Sequence, residues 1–321
     1  MGAPDDSHYR TIINAITSGR VVPFLGAGFN LPDRPVEEDW KWECGCEHLP
    51  SGGELSVHLA DKFSYPPNQD KSDLVRVSQY IEAMNGSGPL YEELRTIFNH
   101  KYHPQAPHEF LAALPRVFRE RGIPPRYQLI VTTNYDDALE CAFRDASEKF
   151  DLVSYVAKGE RQGKFLHRPP DSEASLIELP NEYQKLSLEE RTVILKIHGA
   201  VDRGNEEQDS YVITEDDYID YLTRTDISKL VPATLLAKLK RSHFLFLGYS
   251  LRDWNLRVIL RRIWGEQRLS YQSWAIQLNP DPLDERFWNK RGVEIINANL
   301  SDYLAELSKR LQPQSATGGE V

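Results

Sequence analysis

Cysteine is scarce in these 321 residues, with Cys44, Cys46 and Cys141 the only three. An odd, sparse set of thiols builds no disulfide framework and suits a reducing compartment. A closed zinc site takes four ligands, usually as two separated pairs, and Cys44-Gly-Cys46 with His48 nearby supplies only the beginning of one. Ordinary thiols in an insertion are the favoured reading, and no metal is expected. Long apolar runs are also missing: none approaches the roughly 18–20 residues that cross a bilayer. The N-terminus, Met1-Gly-Ala-Pro-Asp-Asp-Ser-His-Tyr-Arg10, lacks the basic-then-apolar order of a secretory signal. The expected setting is therefore cytoplasmic, with no membrane partner. Positive charge is in deficit, 38 Lys and Arg against 48 Asp and Glu, for a formal charge of −10. That balance argues against direct nucleic-acid binding, which needs a basic surface to neutralise phosphates. It leaves open a single pyrophosphate held by backbone N–H groups at a helix N-terminus. With 19 Gly and 20 Pro, the chain is neither collagen-like nor wholly disordered. Its length allows one large α/β domain or two modest ones.

What is present is a rhythm of short, β-rich apolar runs alternating with helical stretches. The runs cover residues 20–25, 128–133, 192–197, 243–247, 273–278 and 293–296, and a final helix is expected at about 302–311. Continuous rather than alternating apolar runs indicate strands covered on both faces, which makes a parallel, doubly wound sheet the natural architecture. Polar or glycine-containing turns follow at least five of the runs. In an open parallel sheet the ligand crevice lies beyond those strand ends, so residues distant in sequence would converge on one site.

Two stretches break the rhythm. Residues 31–60 follow a glycine turn with a charged, aromatic, glycine-rich insertion, and a polar insertion occupies about 157–190. Segments of this kind in compact domains are usually functional loops or lids. Residues 72–120 read as helices, with expected caps at Ser72 and Pro107-His108, so a smaller helical module is placed at about 50–125. The domain is assigned to residues 1–311, and 312–321 have the composition of a flexible tail or linker.

Three motifs sit at strand ends. Gly26-Ala27-Gly28 is either a phosphate-approaching turn or a structural one, and the third glycine of the usual dinucleotide fingerprint is absent. Thr133-Asn134-Tyr135-Asp136 is either a polar binding edge or a strand exit with Asn134 capping the next helix. Lys196-Ile197-His198-Gly199 ends either in a reactive histidine or in a satisfied core one. Their occurrence in order, at successive strand ends, favours a shared site. The helix at 253–264 carries Arg257, Arg261 and Arg262. It reads as a dipole-matched helix packed on the sheet in preference to an RNA or partner contact. The acidic run at 206–209 reads as a solvated turn.

The chain resembles the sirtuin superfamily, specifically its bacterial NAD-consuming antiphage-defence branch. The matching segments are Phe24-Leu-Gly-Ala-Gly28, Pro107-His-Glu-Phe-Leu-Ala-Ala-Leu114, Ile130-Val-Thr-Thr-Asn-Tyr-Asp-Asp-Ala-Leu-Glu140, Leu195-Lys-Ile-His-Gly199, Tyr211-Val-Ile-Thr-Glu-Asp-Asp-Tyr218 and Phe246-Leu-Gly-Tyr-Ser-Leu-Arg-Asp-Trp-Asn255. The resemblance implies a Rossmann-like, mostly parallel sheet with helices on both faces, and a smaller helical module over the nicotinamide end of NAD. Gly26, Ala27 and Gly28 would cradle phosphates; Gly248 and Ser250 would touch the phosphate or adenosine side; Asn279 would meet the adenosine ribose. Asn134 would hold ribose hydroxyls or a water, Asp136 would bind the carboxamide, and His198 would act as base. Asn30 and Thr133 complete the expected binding set.

The departures from the family discriminate between activities. Zinc-bearing deacetylases of this superfamily carry four cysteines after the catalytic histidine, and here none follows Cys141. Their serine after the glycine turn is Asn30, and their Pro-Asp-Phe-Arg is only echoed by Leu31-Pro-Asp-Arg34. The resemblance thus implies an NAD glycohydrolase with NAD as substrate, acting in antiphage defence as a homo-oligomer, with a defence partner or a fused sensor domain. The alternatives are an NAD-dependent deacylase or ADP-ribosyl transferase, and a non-catalytic NAD-sensing module.

Overall fold

A computed structural model describes residues 4–312 apart from 36, 38, 125, 224–229, 252–253 and 265–270. The tail beyond 312 and the acidic start of the arginine-bearing helix at Asp253 lie outside the described residues.

Nine strands form one sheet in the order β11-β10-β9-β1-β2-β6-β3-β4-β5. They are β1 (Val21–Leu25), β2 (Leu129–Thr132), β3 (Phe150–Tyr155), β4 (Phe165–Arg168), β5 (Ser175–Leu176), β6 (Thr192–Lys196), β9 (His243–Leu247), β10 (Ser273–Gln277) and β11 (Val293–Asn297). A separate two-stranded ribbon pairs β7 (Gly199–Ala200) with β8 (Ser210–Tyr211). Strands β11 through β3 are parallel, and β4 and β5 extend the edge antiparallel. The architecture is a mostly parallel, Rossmann-like α/β sheet. From β1 the chain passes to β2, skips one position to lay down β3, β4 and β5, comes back to fill the gap with β6, and then crosses to β1's other edge with β9. The β1–β9 seam is therefore the switch point where a ligand crevice opens.

Side-chain alternation explains why the apolar runs are continuous. Val22, Phe24, Val131, Leu195 and Phe246 point into one core, completed by α7 (Glu215–Thr223), α8 (Ala233–Lys240), α9 (Trp254–Trp264) and α10 (Pro282–Asn289). Val21, Leu25, Ile130, Ile194 and Leu247 point into the other, completed by α1 (Asp6–Thr17), α5 (Ala106–Glu120), α6 (Ala138–Asp145) and α11 (Leu300–Leu311). The central residues of these strands therefore meet helix on whichever face they point to, which keeps the runs apolar in their middles, while polar residues such as Thr132, Thr192, Lys196 and Ser273 sit at strand ends.

The stretch read as one helical module divides in two. Helices α2 (Gly52–Lys62), α3 (Leu74–Asn85) and α4 (Ser87–Phe98) enclose their own small core with Trp42, Leu49, Tyr135 and Tyr211. Helix α5 instead packs Leu111, Leu114 and Phe118 on the sheet. The α3 cap is Asp73, whose side chain accepts from Arg76 N, and not Ser72. The α5 cap is Gln105, with Pro107 and His108 inside the first turn. The polar stretch 157–190 contains β4 and β5. It is fastened by His167, fully buried, whose Nε2 meets Asp151 Oδ1 at 2.8 Å and whose Nδ1 meets the Tyr183 hydroxyl at 2.7 Å. Arg191 Nε donates to the other Asp151 oxygen at 2.6 Å. Helix α9 buries Ile259, Leu260 and Ile263 against the sheet while the Arg257 guanidinium lies over the Phe287 ring, 4.3 Å from its centroid. This is the packed-helix reading of that segment.

Candidate active site

Every strand end expected to carry chemistry opens on one side of the sheet. A cleft of about 640 Å³ is lined by Gly26, Ala27, Gly28 and Asn30 after β1, Thr133, Asn134 and Asp136 after β2, His198 after β6, and Gly248 and Ser250 after β9. Its far wall comes from the small module: Ser51 to Gly53 at the head of α2, with Leu55, Leu74 and Phe98. A second cleft of about 660 Å³ adjoins it across the glycine ridge, sharing Gly28, Gly248 and Ser250 and reaching Asn279 after β10. Ten of the eleven sequence-predicted residues line the first cleft, and Asn279 lies in the second. Helix α2 is fixed at this wall by a reciprocal cap: Glu54 N donates to Ser51 Oγ, and Ser51 N donates to the Glu54 carboxylate at 2.7 Å. Arg34 donates to both Glu54 oxygens, at 2.9 and 2.8 Å.

The glycines at the ridge serve a close approach of two turns. Gly28 N donates to Gly248 O at 2.8 Å, and Gly26 N donates to Leu247 O at 3.2 Å. A Cβ on Gly28 would fall 2.7 Å from that same carbonyl oxygen, and one on Gly248, at φ +62°, would fall 2.0 Å from Phe29 N. Two of the three N–H groups expected to cradle phosphate are thus occupied by the β1–β9 contact. Ala27 heads the 3₁₀ turn Ala27–Asn30, and no backbone carbonyl among the described residues takes its N–H.

Asn134 is not a helix cap. The cap position of α6 belongs to Asp137, while Asn134 Nδ2 donates to Gly26 O at 3.1 Å and its backbone N donates to Thr132 Oγ1 at 3.0 Å. One amide hydrogen is spent on the glycine turn, which aims the half-buried amide into the cleft with Oδ1 and the second hydrogen available to a ligand. Thr133 N donates to Leu25 O at 3.1 Å, tying the same loop to β1. Beneath it, Lys196 is buried, donates to the carbonyl of Asp136 and pairs with buried Glu140 Oε1 at 2.7 Å. Burial pushes the Glu140 carboxyl above its ordinary range, against the pull of Lys196. A charge pair so enclosed fixes geometry more than it adds stability. His198, two residues past Lys196, is buried between the edges of Tyr218 and Tyr221, with centroids at 5.4 and 5.8 Å.

A second polar chain holds Asp136, running through a residue that sequence reasoning placed only as a cap. Gln105 N donates to His108 Nδ1 at 3.1 Å, so the imidazole proton sits on Nε2 and is donated to Asn30 Oδ1 at 2.9 Å. Asn30 Nδ2 then donates to Asp136 Oδ2 at 2.9 Å, while Ala138 N donates to Asp136 Oδ1 at 3.1 Å. Asn30, in place of the family's serine, reaches both neighbours at once because an amide donates and accepts. Burial pushes the His108 imidazole down to about 4, against the opposing pull of the Asp136 carboxylate. A histidine held below its ordinary value leaves the unfolded chain binding more protons as pH falls. Its stabilisation is therefore complete above the ordinary pKa of 6.5 and is lost as pH falls toward 4. The expected loss is on the order of 3 kcal/mol across that window. Urea unfolding from pH 7.5 to 4.5 should show this slope in the native chain and a flatter one in His108→Gln. Equal slopes would remove His108 from the account.

Known proteins resemble this chain at the level of family. Residues 128–296 match the SIR2-like domain family. The chain is similar to NAD(+) hydrolase ThsA of Enterococcus faecium, 28% identical over 251 residues that make up 78% of this chain and 41% of that protein. It is also similar to Defense-associated sirtuin 2 of Bacillus subtilis, 23% identical over 313 residues, 93% of this chain and 26% of that one. A solved structure from work on the mechanism and regulation of Sir2 enzymes aligns with 96% of this chain and 98% of its own, at 13% identity and a TM-score of 0.42. The chain spans less than half the length of these two curated relatives. Among the described residues no helix is long and apolar enough to cross a membrane.

Proposed function

The chain belongs to the SIR2-like domain family, and from that premise we propose that it is an NAD glycohydrolase that cleaves NAD to nicotinamide and ADP-ribose. The observation that carries the reading is the convergence of Asn134 and His198, from adjacent parallel strands, on a cleft walled by a glycine turn. The glycosidic bond to nicotinamide is labile because the leaving group departs as a neutral pyridine. The protein has to position the ribose, stabilise an oxocarbenium-like state and admit water. The Asn134 amide, anchored through Gly26 O, holds ribose hydroxyls or the water. His198 takes a proton from one of them as the new bond forms. Asp136, fixed through Asn30 and His108, receives the carboxamide. The Ala27 N–H, Gly248 and Ser250 accompany the pyrophosphate, and the second cleft at Asn279 takes the adenosine. None of these steps requires a metal.

The proposed setting is an effector of antiphage defence that depletes NAD, assembled as a homo-oligomer and controlled by a fused sensor domain or a partner protein; the names of the relatives, NAD(+) hydrolase and Defense-associated sirtuin, support its NAD-cleaving and defence parts. Incubation with NAD alone should release nicotinamide and ADP-ribose in equal amounts. Strict dependence on an acylated peptide or a protein acceptor would instead assign a deacylase or ADP-ribosyl transferase.

A further inference from the structure

The insertion before α2 carries Cys44, and the fold brings it against two helices of the small module. One ligand-capable atom each of Cys44, His58 on α2 and Glu93 on α4 lies within 4.8 Å of the other two. His58 Nε2 stands 2.6 Å from Glu93 Oε1, and Lys62 Nζ holds the other carboxylate oxygen. The Glu93 side chain is 5% exposed and that of His58 25%, whereas Cys44 faces solvent in a shallow cleft. The backbone carrying the thiol is pinned at both ends. Trp42 Nε1 donates to His48 O at 2.7 Å, and the Trp42 ring meets His58 edge-on at 5.6 Å. The earlier grouping of Cys44 with Cys46 and His48 does not assemble: the Cys46 thiol donates to the His48 carbonyl at 3.3 Å instead.

We propose that Cys44, His58 and Glu93 form a zinc-binding site, with the fourth position open to water from the cleft. A thiolate, an imidazole and a carboxylate together suit zinc and do not suit magnesium or calcium, which take oxygen ligands. Tetrahedral ligands at zinc bond lengths sit roughly 3.3–3.7 Å from one another. The exposed Cys44 thiol therefore needs to close by about 1 Å on the other two, while the His58–Glu93 pair, hydrogen-bonded at 2.6 Å, has to open by somewhat less than that to admit the ion. Binding displaces the Cys44 thiol proton to solvent, and zinc takes the place of the proton between His58 Nε2 and Glu93 Oε1; the neutral imidazole then carries its one proton on Nδ1, and the carboxylate oxygen becomes a ligand. Lys62 stays on the outer oxygen, where it orients the carboxylate and neutralises part of the ligand charge. Glu43, Glu54 and Asp61 line the same cleft with Lys41; Glu54 is already paired with Arg34 and Asp61 with Lys71.

The consequence reaches the larger cleft. Helix α2 places Gly52, Gly53 and Leu55 in its wall and His58 at the metal, so the ion clips that wall to α4 and to the insertion. The metal-free reading applies to the NAD reaction, and the proposed ion acts on the position of the cleft wall. This inference stands independently of the NAD hydrolase reading.

The test uses the full chain stripped of metal and titrated first with Co²⁺, then with Zn²⁺. One Co²⁺ per chain should bind with a sulfur-to-cobalt charge-transfer absorption that one equivalent of Zn²⁺ removes. Cys44→Ser should abolish that absorption, and Cys44→Ser and His58→Ala should each weaken binding by about 100-fold or more. Cys46→Ser and Cys141→Ser should leave it unchanged. Cys44 is exposed, so an unaltered far-UV circular dichroism spectrum of Cys44→Ser separates lost ligation from lost fold. Absence of saturable binding by the native chain would overturn the proposal and leave a His58–Glu93–Lys62 ion cluster beside a bystander thiol. A charge-transfer band that survives Cys44→Ser would overturn it equally.

Discussion

Replacing Asn134 with Ala should lower NAD turnover by about 10²–10³-fold while leaving the fold intact, the scale of loss when one preorganised polar group is removed from a transition state. The side chain is half-buried at the cleft wall, and its only hydrogen bond among the described residues goes outward to Gly26 O. Truncation leaves that carbonyl near the cleft, where water replaces the lost donor, so the structural cost is small. The loop keeps its other fastenings, Thr133 to Leu25 O and Lys196 to the Asp136 carbonyl. The loss should therefore appear in kcat, with NAD binding changed only modestly. A large rise in KM at unchanged kcat would mean that Asn134 contributes uniform binding and no step of the chemistry.

Gly248→Ala should be severe for a different reason. The residue sits at φ +62°, and the new methyl would lie 2.0 Å from Phe29 N and 2.3 Å from the Gly28 carbonyl carbon, backbone atoms that cannot swing aside. Strain in the left-handed region and overpacking together come to about 2–5 kcal/mol. Relief requires the β1 and β9 turns to separate, which breaks the 2.8 Å bond from Gly28 N to Gly248 O and removes the ridge common to both clefts. Chemical denaturation should show the destabilisation, and calorimetric titration should show NAD binding lost even where the chain remains folded. Near-native stability with normal NAD binding would show that the two turns tolerate separation, and the ridge would lose its role.

How much of this was legible depended on where polar groups ended up. The six apolar runs became β1, β2, β6, β9, β10 and β11 within a residue or two at each end, because strands covered on both faces admit no polar alternation. Strand β3 escaped notice because every second residue is only half-buried, and one of its buried positions is Asp151. The neighbouring β4 was hidden inside a stretch that looked like a polar loop, since its packing rests on His167 and Arg191 converging on that carboxylate, with the Tyr183 hydroxyl on the far side of the His167 ring. Buried charge satisfied by buried charge has the composition of surface.

The same limit applies to the site. Asn134 and His198 were readable because each ends a strand, and the topology of a parallel sheet then brings the ends together. The chain from Gln105 through His108 and Asn30 to Asp136 was not, because its members lie 106 residues apart at the extreme and sequence spacing carries no signal for such a contact. His58 and Glu93 likewise sit on separate helices, which is why the cysteine pair was first matched with the nearer His48. The glycine turn was read for phosphate approach, and its more immediate duty proved to be letting two backbones touch.

The central claim is turnover of NAD by this cleft, and the most direct measurement follows nicotinamide release from NAD over a series of protein concentrations, with the native chain and Asn134→Ala side by side and no acceptor added. The account predicts release by the native chain, rising per protomer as concentration favours assembly, and none above background from the variant. Nicotinamide release at equal rates by both proteins, or NAD bound and never cleaved by the native chain at any concentration, would contradict it.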